Sequence, residues 1–167
     1  MESYDDFWHI TEAALRAAVG ELSIEANEER LEQLMQAYLS PAAFPEVKST
    51  LEALHGSRLA ILSNGTPAML ESAVRHNGLE AYFSALISVD MVKTYKPSPR
   101  VYALGPKILN LPTEEILFVS SNLWDAAGAK AFGYRVCWCN RSGAQLEALG
   151  SAPDFMVRSL DEIPGLR

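Results

Sequence analysis

Cysteine is nearly absent from this sequence: Cys137 and Cys139 are the two among 167 residues. They lie in Val136-Cys137-Trp138-Cys139, where residues i and i+2 of a strand point to the same face. That is a poor geometry for a disulfide, and a metal centre would need more ligands than this neighbourhood offers. Both are read as buried apolar residues in a reducing compartment, and a cytoplasmic location is expected. Long apolar runs are also missing. None approaches the ~20 residues that a membrane span needs, so no membrane partner is expected. No basic leader precedes a short apolar stretch, so no signal peptide is read.

Basic residues are few: 14 Lys and Arg against 21 Asp and Glu, a net charge of −7. A nucleic-acid binder carries a basic patch; none is concentrated here, and no nucleic-acid partner is expected. The deficit is uneven. Residues 1–56 hold 3 basic and 11 acidic residues, and residues 57–167 hold 11 and 10. The first segment reads as a solvated acidic helical surface. The three histidines, His9, His55 and His76, share no ligand spacing and are assigned no catalysis.

What is present is a change of rhythm. Asp5 or Asp6 is placed to cap a helix to about Val19, with Phe7, Ile10, Ala14 and Ala18 as its apolar face. Asn27 is placed to cap a second helix, with Leu31, Leu34, Met35 and Tyr38 on one stripe. Ser40-Pro41-Ala42-Ala43-Phe44-Pro45 breaks the pattern. The reading is a helical segment, residues 1–41, followed by a second segment, residues 42–167.

In the second segment Pro45 opens a helix that Gly56 ends. Leu59-Ala60-Ile61-Leu62 is an unbroken apolar run, as in strands buried on both faces of a parallel sheet. Thr66-Pro67 opens a helix closed by Asn77-Gly78. Leu86–Val89 is a second strand, Ser98-Pro99 opens a helix through Leu109, and Ile116–Val119 is a third strand. A helix from Asp125 to Phe132 stops at Gly133, and Arg135–Cys139 is a fourth strand. This alternation predicts an α/β fold with a parallel sheet.

Ligands of such sheets bind beyond the carboxyl ends of the strands. There the sequence has Ser63-Asn64-Gly65, then Lys93-Thr94-Tyr95-Lys96-Pro97, then Ser120-Ser121-Asn122-Leu123-Trp124-Asp125. Hydroxyls, amides, a cation and a carboxylate converge as in an anion-handling active site.

Ile61–Gly65, Tyr95–Tyr102 and Phe118–Ala129, with Tyr4-Asp5-Asp6-Phe7-Trp8 ahead of them, resemble the haloacid dehalogenase superfamily of hydrolases. More narrowly they resemble the L-2-haloacid dehalogenases. The resemblance covers nearly the whole chain, and Ser-Ser-Asn-x-Trp-Asp is its most specific part. It implies a Rossmann-like parallel-sheet core with a partial helical cap. It also implies an aspartate that attacks C2 of a 2-haloalkanoic acid and expels halide, followed by hydrolysis of the aspartyl ester.

By the same resemblance, Ser63 binds the substrate carboxylate and Asn64 helps to hold the halide. Lys96 stabilises the nucleophile, and Ser120 and Asn122 orient it. Asp125 assists the hydrolytic water and pairs with Lys96. Tyr102 contacts the nucleophile region, while Phe7 and Trp124 border the halide and substrate pockets. A homodimer is consistent with the resemblance alone.

Phosphatases of the superfamily commonly have an aspartate where Ser120 stands, as part of a Mg²⁺ site. Serine there removes a carboxylate that a hard cation prefers. No metal and no other cofactor are expected, which argues against a phosphatase. Another hydrolase of the superfamily, or a non-catalytic descendant that binds a small carboxylate or a partner chain, stays an alternative.

The family's nucleophile stands in a strand ending in Asp-x-x-Gly-Thr, and no such motif occurs in these 167 residues. The expectation is a chain without the central nucleophile strand, inactive alone, and marginal, aggregation-prone or rearranged. Unsatisfied buried backbone groups cost roughly 1–3 kcal/mol each, against a net domain stability of about 5–15 kcal/mol.

Overall fold

The computed structural model describes residues 4–145 and 152–166. They divide into two compact units. The first runs up to Ala43 and takes in Ala60–Lys93; the second takes Phe44–Leu59 and everything from Thr94 onward.

In the first unit, helix α1 (Phe7–Glu21) starts where the Asp6 carboxylate accepts the His9 backbone N–H, and α2 (Glu28–Ala37) where the Asn27 side chain accepts that of Arg30. Both caps were legible as short polar residues ahead of an apolar repeat. The faces differ from the expected stripes. On α1, Phe7, Thr11, Leu15 and Val19 are half-buried while Ile10, Ala14 and Ala18 are exposed. On α2, Leu31 and Met35 are buried, but Leu34 and Tyr38 are exposed. A strict i, i+4 line sets the buried edge in each, narrower than the stripe that hydrophobicity alone suggests.

Strand β1 (Leu59–Ser63) leads into α4 (Pro67–His76), where the Thr66 hydroxyl accepts the Met69 N–H and Pro67 occupies the first turn. Helix α4 ends at Asn77, as expected. The Asn77 side chain holds the break after α2: its Oδ1 accepts the Ala43 N–H at 2.8 Å, and its Nδ2 donates to Pro41 O at 2.9 Å. Strand β2 spans Phe83–Ser88, starting three residues before the expected Leu86. Val89, placed in that strand from sequence, belongs instead to a short 3-10 turn opened by the Ser88 hydroxyl. All five residues of β1 are half-buried, short of the two-faced burial expected.

In the second unit, α3 (Val47–Ala53) begins two residues after Pro45 and without a side-chain cap. The single helix expected over 98–109 is two: α5 (Pro99–Tyr102) and α6 (Leu104–Leu109), interrupted at Ala103. Pro106 has no N–H for the Tyr102 carbonyl four residues back, so the ladder breaks there. Strand β3 (Leu117–Ser120), helix α7 (Leu123–Phe132) and β4 (Arg135–Cys139) follow. Gly133 ends α7 at φ +117°, a conformation that a Cβ disfavours. A fifth strand, β5 (Phe155–Val157), was not anticipated; three residues carry too little periodicity to be read.

Among the described residues the strands form two sheets, β1-β2 and β3-β4-β5. The second sheet is parallel, with Leu117 opposite Arg135, Ser120 opposite Trp138 and Cys137 opposite Phe155. Its core holds Val136, Cys137 and Cys139, all nearly free of solvent contact. Both cysteines are free thiols. β3 is less enclosed than expected: Phe118 is buried but Val119 is exposed.

Candidate active site

The site in the second unit is built at the carboxyl end of β3. Ser120 is the last residue of that strand, and Asp125 sits in the first turn of α7. A carboxylate there meets the positive end of the helix dipole. The turn between them is braced twice. The Asn122 backbone N–H donates to Ser120 Oγ at 3.2 Å, and Trp138 Nε1 on β4 donates to Ser121 O at 3.1 Å.

Asp125 is buried, and three side chains donate to its carboxylate. Lys96 Nζ reaches Oδ2 at 3.0 Å, Ser120 Oγ reaches the same oxygen at 3.0 Å, and Tyr102 Oη reaches Oδ1 at 2.9 Å. A buried carboxylate is tolerated when its lone pairs are met in this way. The Lys96 and Asp125 side chains are each only 7% exposed, so Lys96 is no solvated loop lysine. Its ammonium also lies 4.8 Å from the centre of the Phe118 ring, a cation–π contact. Burial pushes the Lys96 pKa below its ordinary value, and the Asp125 charge partly offsets that. The Tyr102 phenol is pushed well above its ordinary value by burial and by the Asp125 carboxylate; it is a neutral donor at any physiological pH.

An aromatic cluster supports these groups from below. Tyr102, Phe118, Phe132 and Tyr134 pack edge-to-face or tilted, with ring centres 5.3–6.4 Å apart. Two glycines make the approach possible. A Cβ on Gly128 of α7 would lie 2.6 Å from Tyr102 Oη, and one on Gly105 of α6 would lie 2.2 Å from Tyr134 Oη. Sequence reading gave no part to Gly105, Pro106 or Tyr134, and none to Gly128 beyond its place in the Phe118–Ala129 segment. The available signal was Pro106 itself, since a proline inside a helical stretch leaves the carbonyl four residues earlier without its donor.

Of the residues singled out from sequence, this unit brings together Lys96, Tyr102, Ser120 and Asp125. Asn122 stands at the start of α7, its side chain exposed and making no cap hydrogen bond; Trp124 is also exposed. Phe7, Ser63 and Asn64 belong to the other unit. Phe7 opens α1, half-buried. Ser63 ends β1, where its Oγ accepts the Gly65 N–H at 3.0 Å, and Asn64 follows it. Thr66, not Ser63 or Asn64, caps the next helix. Gly65 is held in turn by the Ser88 hydroxyl, which donates to its carbonyl at 2.7 Å.

Among the described residues, Asp5, Asp6 and His9 lie close enough together to share an ion. Asp5 and His9 are exposed and Asp6 half-buried, and two of them already make the α1 cap. No helix among the described residues is long and apolar enough to cross a membrane.

A sequence profile of haloacid dehalogenase-like hydrolases matches residues 1–133. The chain is 44% identical over 165 residues to haloacetate dehalogenase H-2 of Moraxella sp. (strain B), covering 98% of this chain and 74% of that protein. The crystal structure of an L-2-haloacid dehalogenase superposes with a TM-score of 0.95 at 41% identity, covering 97% of this chain and 72% of that one. An L-2-haloacid dehalogenase of Xanthobacter autotrophicus, solved with chloropropionic acid covalently bound, gives 0.90 at 37% identity, covering 97% and 76%.

Proposed function

The chain belongs to the haloacid dehalogenase-like hydrolases, and we propose that it serves the hydrolytic dehalogenation of L-2-haloalkanoic acids to 2-hydroxy acids. The observation that carries this reading is the buried Lys96–Asp125 pair, with Ser120 and Tyr102 donating to the same carboxylate. Its context is a chain similar, over nearly its whole length, to proteins named as 2-haloacid and haloacetate dehalogenases.

In the proposed reaction a carboxylate attacks C2 of the substrate. The carbon–halogen bond breaks, the halide leaves with the electron pair, and C2 inverts. Water then adds to the carbonyl of the resulting ester. The acyl–oxygen bond breaks, the 2-hydroxy acid departs, and a proton goes to solvent. The covalent chloropropionate held by the Xanthobacter enzyme is in keeping with such an ester. No Asp-x-x-Gly-Thr motif stands among these residues, and the attacking carboxylate is assigned to none of them.

The surrounding roles are assigned as follows. Lys96 balances the negative charge of the carboxylates. Ser120 and Asn122 orient nucleophile and ester, and Tyr102 contacts the same region. Asp125 holds Lys96 and assists the hydrolytic water. Ser63 receives the substrate carboxylate and Asn64 the halide, with Phe7 and Trp124 bordering their pockets. Residues 1–41 form part of the helical cap and residues 42–167 the core. A hydroxyl at position 120, in place of a carboxylate, supports a metal-independent reaction. A cytoplasmic homodimer completes the reading.

The test is chloride release from the two enantiomers of 2-chloropropionate by the protein as its host produces it. Release from the L enantiomer alone, undiminished by EDTA, is expected. Phosphate release from p-nitrophenyl phosphate without any chloride would overturn the reading in favour of a phosphatase. Carboxylate binding without turnover would make the protein a non-catalytic descendant.

A further inference from the structure

Tyr134 lies just after α7. It is 2% exposed, and its hydroxyl donates to the Tyr102 backbone carbonyl at 2.6 Å. That carbonyl is the one that α6 leaves without a donor, because its partner in a continuous helix would be the N–H that Pro106 lacks. A buried carbonyl without a donor is costly, and a side chain 32 residues away supplies the missing bond. The next group along is the Tyr102 phenol, which donates to Asp125 Oδ1 at 2.9 Å. Gly105 leaves room for the Tyr134 oxygen and Gly128 for the Tyr102 oxygen.

The geometry points to Tyr134 as a positioning residue: its hydroxyl replaces the Pro106 N–H on the Tyr102 carbonyl, and so holds the Tyr102 phenol, and through it the Asp125 carboxylate, in place. The alternative is an aromatic side chain that merely fills the core. The two differ in what removal of a single oxygen should do. A core-filling ring keeps its packing in Tyr134→Phe. A positioning hydroxyl does not keep its function. Its loss is repaired by returning the backbone donor with Pro106→Ala, a change that adds nothing to the ring cluster.

This inference rests on the dehalogenase reading for its kinetic arm only. The first arm is ¹³C NMR of the tyrosine Cζ resonances, which needs no turnover. In Tyr134→Phe the Tyr102 resonance should shift, and in Pro106→Ala/Tyr134→Phe it should return toward its original position. An unmoved resonance overturns the inference whatever the enzyme does. The second arm is chloride release from L-2-chloropropionate at a temperature where every variant is folded by circular dichroism. Tyr134→Phe should lower kcat about tenfold with KM within twofold, the split expected when a group acts on chemistry rather than on substrate binding. In a Tyr102→Phe background the same substitution should cost nothing further, since the chain of contacts is already cut. Wild-type kcat in Tyr134→Phe, or a full tenfold loss added to that of Tyr102→Phe, would overturn it. Absence of chloride release from the unsubstituted protein as its host produces it counts against the dehalogenase reading and leaves the resonance arm to decide the contact.

Discussion

Lys96 Nζ lies 3.0 Å from Asp125 Oδ2, and both side chains are almost entirely buried. Lys96 comes from the loop before α5, Asp125 from the first turn of α7. Such a pair is poor evidence for stability in itself, because desolvation offsets much of the attraction. Its value is conditional: either partner alone is worse than both or neither.

Lys96→Met should therefore destabilise the fold by about 3 kcal/mol, the lower part of the range for breaking a buried pair. Ser120 and Tyr102 still satisfy the stranded carboxylate and limit the loss. The double variant Lys96→Met/Asp125→Asn should cost less than the two single losses added together. Urea melts of the four proteins measure the coupling; strict additivity would contradict it. Chloride release should vanish in Lys96→Met.

Gly128 carries a second prediction. A methyl group there would meet Tyr102 Oη at 2.6 Å and Pro97 Cβ at 3.0 Å. Gly128→Ala should cost about 1–3 kcal/mol, as overpacking of a filled core does, and should push the phenol off Asp125. Removing the oxygen with Tyr102→Phe should recover part of the thermal stability of Gly128→Ala but none of its activity. Melting temperatures that are identical with and without the phenol would show that the clash lies elsewhere.

Alkaline pH should unfold the second unit. Burial pushes the Cys137 thiol up to about 11 and the Tyr134 phenol up to about 12. A raised pKa means that the folded state keeps its proton longer than the unfolded chain does. The associated stability is complete below the unfolded values, about 9 for Cys and 10 for Tyr, and is lost as pH rises through the folded ones. Lys96 works in the opposite sense, since its lowered pKa makes stability rise with pH toward 10.5. Cys137→Val isolates the thiol, because the Lys96 contribution is common to both proteins. The valine variant should lose stability less steeply between pH 9 and 11, by on the order of 2 kcal/mol. Parallel stability curves across that interval would refute the assignment.

Asn77 should matter to the first unit far more than its place at a helix end suggests. Its amide bonds Ala43 N, Pro41 O and Ala73 O at 2.8–2.9 Å. Asn77→Ala should cost about 1–2 kcal/mol for these partly exposed bonds. Limited proteolysis should then cut faster near Pro41–Phe44. Asn77→Asp keeps the acceptor for Ala43 N but loses both donations, so its cleavage rate should fall between the two.

Local chemistry was readable wherever one residue decides one bond. Asp6, Asn27 and Thr66 cap the helices they precede, Gly133 ends α7, and Arg135–Cys139 is a strand with the expected bounds. The motif residues at the ends of the strands were legible as types: Ser120, Asp125 and Lys96 are polar groups where apolar strands stop. Burial was less legible. Ile10, Leu34 and Tyr38 are apolar and exposed, because hydrophobicity marks a stripe whereas packing selects one line within it.

Sequence alone thus determined the alternation of strand and helix, the caps, and the inventory of donors and acceptors, because each depends on a few neighbouring residues. The family resemblance implied the Lys96–Asp125 pair, but tertiary structure alone decided that Ser120 and Tyr102 also bond to the carboxylate of Asp125. It also decided that the Tyr134 hydroxyl answers the carbonyl that Pro106 abandons. The physical reason is range. A cap is settled within one turn of chain, whereas a buried polar group takes its partner from whichever element the whole fold brings within 3 Å.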